Sequence, residues 1–311
     1  MSEIAKIRVP VILGPTAVGK SAVALRIAEE EGFEILSCDS RQVYRGMDIG
    51  TAKPTPREQG RVTHWLIDIR EPSESYSAYG FAVDAAEVIR ESARRGAKIL
   101  ICGGTGLYFR FLTEGTGPKV PTDIPFRERY LQKVHNEGPE TIFKELEQVD
   151  PETAARLHPH DTQRVIRALQ VFHKTGVALS VHRKRTRGPS DIEFHVFVLT
   201  LERNSLYERI NKRVDCMIDA GLWEEFCTLR RHGFGPTDPG MQCLGYKELT
   251  EVERGSRSLT ETIDIIKRNT RRFAKRQTTW FAHQTQGLRV DVAESGCYSR
   301  IKKTTREFME T

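Results

Sequence analysis

The stretch Gly14-Pro15-Thr16-Ala17-Val18-Gly19-Lys20-Ser21 fits the phosphate-loop pattern G-x-x-x-x-G-K-[ST] at every required position. It follows an apolar run over residues 7–13 and precedes an amphipathic run over residues 21–30, which predicts a strand, a turn and a helix. The backbone N–H groups of such a loop favour a bound phosphate group. We therefore expect Lys20 to neutralise a diphosphate or triphosphate and Ser21 to ligate Mg²⁺; the alternative is a structural glycine turn.

The composition of the chain argues against a membrane-spanning protein. Of its 311 residues, 38% are hydrophobic and 29% are charged, and no apolar run approaches the length of a membrane span. The first apolar run begins close to the N-terminus, so we expect no signal peptide and a cytoplasmic location. The net charge of +6 points weakly to a polyanionic partner. The six cysteines lack metal-ligand spacing, and we expect them to be reduced and mostly buried.

A second candidate strand, over residues 34–38, ends in the polar stretch Asp39-Ser40-Arg41-Gln42-Val43-Tyr44. Polar residues just past a parallel strand lie at the edge of the sheet where doubly wound folds bind their ligands. Asp39 is therefore expected near the bound phosphates, as a Mg²⁺ ligand or as a general base. A helix N-cap or turn residue is the structural alternative.

Further strand and helix patterns predict an α/β fold: a P-loop NTPase-like parallel sheet flanked by helices. A strand over residues 62–69 and a helix over residues 77–95 precede a buried strand over residues 98–102. That last strand ends in a Gly-Gly-Thr turn and not in a magnesium-binding aspartate. Asp39 is therefore the better candidate for an outer-sphere ligand of the Mg²⁺ ion. Thr105, in this turn, could approach a substrate closely or could belong to a plain turn.

The pattern becomes helical between residues 116 and 187, with no strand signal. We therefore predict an all-helical insertion domain over 116–187, within a P-loop core domain formed by residues 1–115 and 188–311 with its C-terminal helices. Asp161 is expected to cap a helix that places Arg164 and Arg167 on one face and the apolar residues Val165 and Ile166 on the other. A basic run over residues 182–187 follows, and such runs are either solvated surface or contacts to a phosphate backbone.

The sheet pattern resumes over residues 194–201 and is followed by helices, the last predicted over residues 259–283. In this helix an apolar repeat of seven residues is expected to dock on the core: Ile266, Phe273 and Trp280. Another side forms a basic stripe that either contacts phosphates or helps to build the core: Arg268, Arg271, Arg272, Lys275 and Arg276. No element or chemistry is predicted from residue 286 onward.

Seven motifs follow one another in the order seen in the tRNA dimethylallyltransferases, the bacterial isopentenyl-tRNA transferases: GPTAVGKS, DSRQVYRGMDIGTAKP, GGTGLY, DTQRVIRALQVFHKTG, RINKRVD, GYKE and RRFAKRQTTWF. The chain resembles this family from residue 9 to about residue 283. Two departures stand out: Gln242 replaces a basic residue, and nothing matches beyond His283. The resemblance implies transfer of the dimethylallyl group from dimethylallyl diphosphate to the exocyclic amine of adenine 37, next to the anticodon, in tRNAs that read codons beginning with U.

The resemblance also implies roles for individual residues. The loop from Gly14 to Ser21, with Mg²⁺ and Arg213, would bind the leaving diphosphate. Thr105 would donate to the bridge oxygen, and Asp39 would accept the proton of the adenine amine after the base has flipped out of its stack. The partners implied are the tRNA anticodon stem-loop and dimethylallyl diphosphate, with no membrane, and the protein is expected to be a monomer. The implied tRNA contacts are Asp39, Ser40, Arg41, Gln42, Thr105, Arg127, Gln163, Arg164, Val165, Ile166 and Arg167.

Three other functions share parts of this pattern. A small-molecule kinase would have the same loop and sheet but would not need a basic helical insertion and a second basic helix. An adenylate prenyltransferase would use the same donor with a free nucleotide as acceptor. A tRNA-binding module would use the loop only as an anion clamp, and the presence of Asp39 and Thr105 argues against it.

Overall fold

The computed structural model describes residues 6–310, and the strands of this part of the chain form one parallel sheet in the order β3-β2-β4-β1-β5-β6. The N-terminal residues on which the expected lack of a signal peptide depends, 1–5, lie outside the described residues. The α/β class with a parallel sheet flanked by helices is confirmed. The strands are β1 (Ile7–Leu13), β2 (Phe33–Cys38), β3 (His64–Trp65), β4 (Lys98–Gly103), β5 (Ile192–Thr200) and β6 (Leu288–Asp291).

The chain divides into two compact units, which we call the core unit (Met1–Leu112 with Pro189–Thr311) and the helical unit (Thr113–Gly188). The helices that begin in the core unit are α1 (Lys20–Glu31), α2 (Pro56–Gln59), α3 (Ala78–Arg94), α4 (Gly106–Glu114), α10 (Arg203–Asp219), α11 (Leu222–Arg231), α12 (Tyr246–Glu253), α13 (Leu259–Gln284) and α14 (Cys297–Glu310). The helices of the helical unit are α5 (Ile124–Glu137), α6 (Pro139–Val149), α7 (Pro151–Ala154), α8 (Thr162–Thr175) and α9 (Leu179–Arg185). None of the helices in residues 6–310 is long and apolar enough to cross a membrane.

Apolar side chains cover both faces of the sheet. Val11 and Leu13 of β1 pack on one face with Phe81 of α3, whereas Ile12 points to the opposite face and packs with Ile27 of α1. All five side chains are fully buried. Successive strand residues alternate between the two faces, so a sheet covered on both sides requires uninterrupted apolar runs such as that of β1.

A third apolar cluster supports the loop that follows β2. Met47 of this loop packs with Phe226 of α11 and with Tyr246 of α12. The Glu225 carboxylate accepts hydrogen bonds from the N–H groups of Asp48 and its two successors and from the Tyr246 hydroxyl. These bonds fix a segment that has no regular secondary structure of its own, because they give three of its backbone N–H groups an acceptor outside the segment.

The predicted strand over residues 62–69 was too long, since only His64–Trp65 pair with β2. Leu66 and Asp68 have φ angles of 61° and 53°, which belong to left-handed and not to extended backbone. The Asp68 carboxylate accepts a hydrogen bond from the buried ammonium of Lys53 at 2.5 Å. The turn is thus fixed by an ion pair that an apolar pattern does not show.

The predicted seven-residue repeat of the last helix was wrong for Phe273, which is 37% exposed. Ile266 is buried as expected, but the buried positions then shift to Ala274 and Phe281. An α-helix has 3.6 residues per turn, so a strict seven-residue repeat drifts around a straight helix by about 20° per repeat. The Phe273 side chain therefore lies outside the core and can contribute to another surface of the protein.

The chain beyond residue 286 forms β6 and α14, which the sequence analysis did not predict. β6 pairs with β5 over only four positions, from Phe197↔Leu288 to Thr200↔Asp291. The Lys302 ammonium of α14 contacts both Glu30 and Glu31 at the end of α1. This segment completes the edge of the sheet.

The helical unit has its own small core, in which Phe126, Ile142 and Val165 are buried. Asp161 stands at the N-cap of α8 but makes no side-chain capping hydrogen bond, contrary to expectation; its carboxylate pairs with Arg164 at 3.4 Å instead. The two ends of the unit meet: a Cβ atom added to Gly188 would lie 1.8 Å from the carbonyl oxygen of Thr113. The chain therefore enters and leaves the helical unit at the same place.

All six cysteines are free, as expected, although only Cys38, Cys102 and Cys243 are buried. The other three are exposed or partly exposed. The expectation of mostly buried thiols was therefore correct for half of them.

Replacement of Gly103 by alanine should destabilise the core unit, because the new Cβ atom would lie 2.1 Å from the carbonyl oxygen of Cys38. These two residues are paired between β2 and β4, so the overlap falls on backbone and not on a side chain that could move. We expect a loss of about 1–3 kcal/mol, visible as a lower urea midpoint. Gly60→Ala is the control, since its nearest neighbour atom would be at 3.4 Å, and an equal loss in both variants would contradict the explanation.

Candidate active site

A cavity of about 560 Å³ lies at the carboxyl edge of the sheet, and every residue that lines it belongs to the core unit. The strands β1, β2 and β4 end there side by side, with Leu13 paired to Gly103 and Gly103 paired to Cys38. The parallel register therefore brings together three turns that are far apart in sequence. The predicted site residues that line the cavity are Thr16, Lys20, Ser21, Asp39, Ser40, Arg41, Gln42, Thr105 and Arg213.

The phosphate-loop sequence forms a tight turn that leads directly into α1. Ala17 and Gly19 have φ angles of 64° and 106°, and α1 begins at Lys20. The Lys20 ammonium donates a hydrogen bond to the carbonyl oxygen of Pro15 at 2.8 Å. The loop thus places backbone N–H groups and one ammonium at a helix N-terminus, where an anion is favoured.

The charge of Lys20 is sensitive to its surroundings. Burial lowers the pKa of its ammonium to about 8; Cys102 and Asp39 oppose this shift, and the nearby positive charge of Arg213 adds to it. A buried cation with another cation close by is stabilised by an anionic ligand. A diphosphate bound here would therefore favour the charged form of Lys20.

The turns after β2 and β4 are bonded to each other. Thr105 Oγ1 accepts a hydrogen bond from the N–H group of Ser40 at 3.0 Å, and the Thr105 N–H group donates to the carbonyl oxygen of Cys38 at 3.2 Å. Asp39 Oδ1 accepts a hydrogen bond from the N–H group of Arg41 at 2.8 Å. Asp39 therefore has the turn role that the sequence analysis considered, and its carboxylate also lines the cavity.

Arg213 of α10 lines the cavity as a cation without a counter-ion. Burial lowers the pKa of its guanidinium group, against the effect of Asp39. Among residues 6–310, no group accepts a hydrogen bond or an ion pair from Arg213. A partly buried guanidinium group without a hydrogen-bond acceptor indicates an anionic ligand, because a bound anion would offset the cost of burying the charge more fully than Asp39 does.

Cations outnumber carboxylates around the cavity, which therefore attracts an anion. Of the predicted basic stripe, Arg272 and Arg276 line the cavity, whereas Arg271 donates to Asn211 Oδ1 at 2.5 Å. The carboxylates in the lining are Asp39 and Glu248, and Glu248 accepts hydrogen bonds from two neighbouring groups. The cations in the lining are Lys20, Arg41, Arg213, Lys247, Arg272 and Arg276.

Part of the cavity wall is apolar, which the sequence analysis missed. The apolar side chains come mainly from α10, α11 and α13, and they include the exposed Phe273. The helical spacing of Ile210, Val214 and Met217 is the signal that could have revealed one side of this wall. A cavity with a cationic loop and an apolar wall suits a ligand that has both an anionic and an apolar part.

Two polar residues next to the phosphate loop were also missed. Gln277 Oε1 accepts a hydrogen bond from the N–H group of Thr16 at 2.9 Å, and Gln277 Nε2 donates to the carbonyl oxygen of Gly104 at 2.8 Å. Arg209 Nη1 donates to the carbonyl oxygen of Val18 at 3.3 Å. Long-range side-chain contacts of this kind leave no local sequence pattern.

The remaining predicted tRNA contacts belong to the helical unit. Arg127, Gln163 and Arg164 are exposed on its surface. Arg167 is also exposed, but it donates a hydrogen bond to the carbonyl oxygen of Val120 at 2.8 Å. The side chains of Val165 and Ile166 are buried in the core of this unit, so the RNA contacts predicted for these two positions could come only from their backbone. The sequence analysis had itself placed both on the apolar face of the helix.

Known proteins match nearly the whole chain. The family model described as IPP transferase matches residues 42–284. A tRNA dimethylallyltransferase of Thermotoga maritima is 44% identical over 281 residues, which cover 90% of this chain and 91% of the relative. A tRNA dimethylallyltransferase of Geobacter metallireducens is 44% identical over 310 residues, which cover 99% of each chain.

A solved structure gives the same result. The full-length tRNA isopentenylpyrophosphate transferase of Bacillus halodurans superimposes with a TM-score of 0.72 at 36% identity, over 98% of this chain and 97% of that one. The expected resemblance to this family is confirmed, but the expectation that nothing matches beyond His283 was wrong, because these matches cover 98–99% of the chain. The protein is an enzyme, and it belongs to the IPP transferase family.

Proposed function

We propose that this enzyme transfers the dimethylallyl group of dimethylallyl diphosphate to the exocyclic amine of an adenine in tRNA. The observation that carries the proposal is the combination, in one cavity, of a phosphate loop, an unpaired Arg213 and an apolar wall. The relatives named above carry the matching activity in their names. The acceptor would be adenine 37, on the 3′ side of the anticodon, in tRNAs that read codons beginning with U.

The reaction breaks the bond between the allylic carbon and the diphosphate oxygen and forms a bond from that carbon to the amine nitrogen. Negative charge develops on the diphosphate as the allylic carbon becomes cation-like. Positive groups fixed in advance around that oxygen lower the barrier most. Lys20, Arg213 and the N–H groups of the phosphate loop would have this role.

The groups in the cavity also fit a Mg²⁺ ion. Ser21 lies in the first turn of α1, and both its hydroxyl-bearing side chain and the Asp39 carboxylate line the cavity. Hard oxygen ligands with room for several waters are what Mg²⁺ prefers in phosphate sites. When bound, the ion would neutralise charge on the diphosphate, held by Ser21 directly and by Asp39 through water.

Asp39 and Thr105 are proposed to act on the reacting atoms. The Asp39 carboxylate would accept the proton that the adenine amine loses, and the Thr105 hydroxyl would donate to the leaving oxygen. The amine lone pair is delocalised into the ring, so orientation of the base matters as much as removal of its proton. The hydrogen bond from Ser40 to Thr105 supports this arrangement by fixing the two turns to each other.

The tRNA would reach the site through a flipped base. An adenine stacked in an anticodon loop cannot enter a recessed cavity, and unstacking costs a few kcal/mol. Exposed basic residues of the helical unit, Arg127 and Arg164 among them, would contact the phosphate backbone of the stem-loop. We propose that the enzyme acts as a monomer in the cytoplasm.

Incubation with radiolabelled dimethylallyl diphosphate and unmodified tRNA should place label in one adenosine, which nucleoside analysis would identify. Lys20→Met is the control, because loss of the loop cation should remove most of the label. Label in AMP without RNA would favour a free nucleotide as acceptor, and turnover of ATP to ADP would favour a kinase. Absence of labelled adenosine would refute the proposal.

Thr105→Ala should lower the single-turnover rate by roughly 10²-fold, the usual effect of removing one donor to a developing oxyanion. The affinity for tRNA should change far less, because the bond to the leaving oxygen matters mainly in the transition state. Thr105→Ser keeps the hydroxyl and should retain most of the rate. Equal losses of rate and tRNA affinity in Thr105→Ala would contradict this role.

Binding of inorganic diphosphate should weaken as the pH rises through the pKa of Lys20, about 8. Only the ammonium form attracts the anion, so the Lys20-dependent part of the affinity should fall roughly tenfold between pH 7 and pH 9. Calorimetry on the wild type and on Lys20→Met would give the ratio of their affinities at each pH, in which the ligand's own titration cancels. A ratio that stays constant over this range would contradict the assignment.

A further inference from the structure

We propose that Gln277 is a positioning residue that couples the diphosphate-binding loop to the turn that carries Thr105. The proposal rests on the prenyl transfer proposed above, and it assigns a role to a side chain of α13 that lies within the motif RRFAKRQTTWF but has been given no role so far. Gln277 is only 8% exposed, although it lies beside a solvent-accessible cavity.

The two ends of the Gln277 carboxamide are fixed by different partners. The Thr16 N–H group can only donate, so Oε1 must face it, and the Gly104 carbonyl can only accept, so Nε2 must face it. Both bonds have ordinary lengths, 2.9 and 2.8 Å. One amide therefore joins the phosphate loop directly to the residue before Thr105.

The sheet alone does not fix the distance between these two turns. Strands β1 and β4 are paired as far as Leu13 and Gly103, and the chain leaves the ladder on both sides immediately afterwards. Thr16 and Gly104 lie beyond that last pair. Gln277 continues the cross-strand connection where the backbone pairing stops.

The glycine at position 104 makes room for this contact. A Cβ atom added to Gly104 would lie 2.7 Å from Gln277 Nε2, closer than real Cβ atoms approach a neighbour. Any larger residue would push the amide away from the Gly104 carbonyl. The second glycine of the Gly-Gly-Thr turn thus leaves space for the Gln277 amide, and a turn without this contact would not need a glycine at that position.

Few side chains could replace the carboxamide. Glutamate would offer oxygen to both partners, lysine would offer only donors, and methionine would fill the space without either bond. Asparagine would be one methylene short. The same helix presents Phe273 and Arg276 to the cavity. Because Gln277 bonds this helix to the phosphate loop, it also helps to fix the position of these two side chains relative to the loop.

The proposed chemistry depends on the distance that this amide sets. The loop would hold the diphosphate while the Thr105 hydroxyl donates to its bridge oxygen, and a misplacement of about 1 Å between such groups can cost roughly 10²-fold in rate. Loss of the amide should therefore act through Thr105. It should slow bond breaking without a matching loss of tRNA affinity.

The test is a double-mutant cycle on single-turnover rates, with wild type, Gln277→Met, Thr105→Ala and the double variant. We expect Gln277→Met to lower the rate at least tenfold in the wild-type background but less than about threefold in the Thr105→Ala background. The affinity for tRNA should change less than threefold. Gln284→Met is the matched control on the same helix, since within residues 6–310 the exposed Gln284 side chain has one hydrogen bond, accepted from Arg110 at 3.4 Å, and it should keep the wild-type rate.

Equal losses in both backgrounds would show a general packing role and overturn the proposal, as would an unchanged rate in Gln277→Met. Gln277→Glu is the second variant should methionine prevent folding: it keeps the size of the side chain but places oxygen against the Gly104 carbonyl, and it should show the same dependence on Thr105. Circular dichroism and thermal midpoints establish that each variant is folded.

The coupling can also be separated from the proposed reaction. Wild-type enzyme that forms no labelled adenosine would refute the proposed function and leave the contact of Gln277 with the phosphate loop to be tested by binding alone. Gln277→Met should then weaken binding of inorganic diphosphate at least fivefold relative to Gln284→Met. Equal affinities of these two variants would overturn the proposed coupling.

Discussion

The parallel register of β1, β2 and β4 is the constraint on which the candidate site depends. Leu13, Cys38 and Gly103 end their strands in one row, so the phosphate loop, Asp39 and Thr105 emerge at the same edge of the sheet. Gly103 keeps the row tight, because its missing side chain lets β4 approach the Cys38 backbone. The remaining structure adds charge, apolar surface and rigidity to an edge that the strands have already defined.

The cavity offers a ligand both a cationic and an apolar surface. Lys20, Arg213 and Arg276 form its cationic side, and helices α10, α11 and α13 supply an apolar side. An allylic diphosphate has the same two-part character. Burial of Lys20 and Arg213 makes their unneutralised state costly, which favours binding of an anion. In the proposed reaction, the apolar wall would exclude water from the carbon that becomes electrophilic.

The sequence predicted the parts of the site that depend on local pattern. The phosphate loop, the polar turns after β2 and β4 and the helical nature of residues 116–187 follow from motif, apolar strand runs and helical spacing. The sequence did not predict Gln277, the apolar wall or the edge strand β6. Each of these depends on contacts between segments that are far apart in the chain, for which no spacing rule exists. The burial of Val165 and Ile166 was visible in the helical pattern, yet the family motif was carried over to them as well.

The meeting of Thr113 and Gly188 has a consequence for the history of the chain. Because the helical unit leaves and returns at one place, its backbone forms a closed excursion between α4 and β5. Removing or exchanging such an excursion changes neither the order of the strands nor the pairing of β4 and β5 with β1. Such an arrangement allows an ancestral phosphate-binding sheet to acquire a helical module by a single insertion, and it allows that module to diverge without changing the residues that line the cavity.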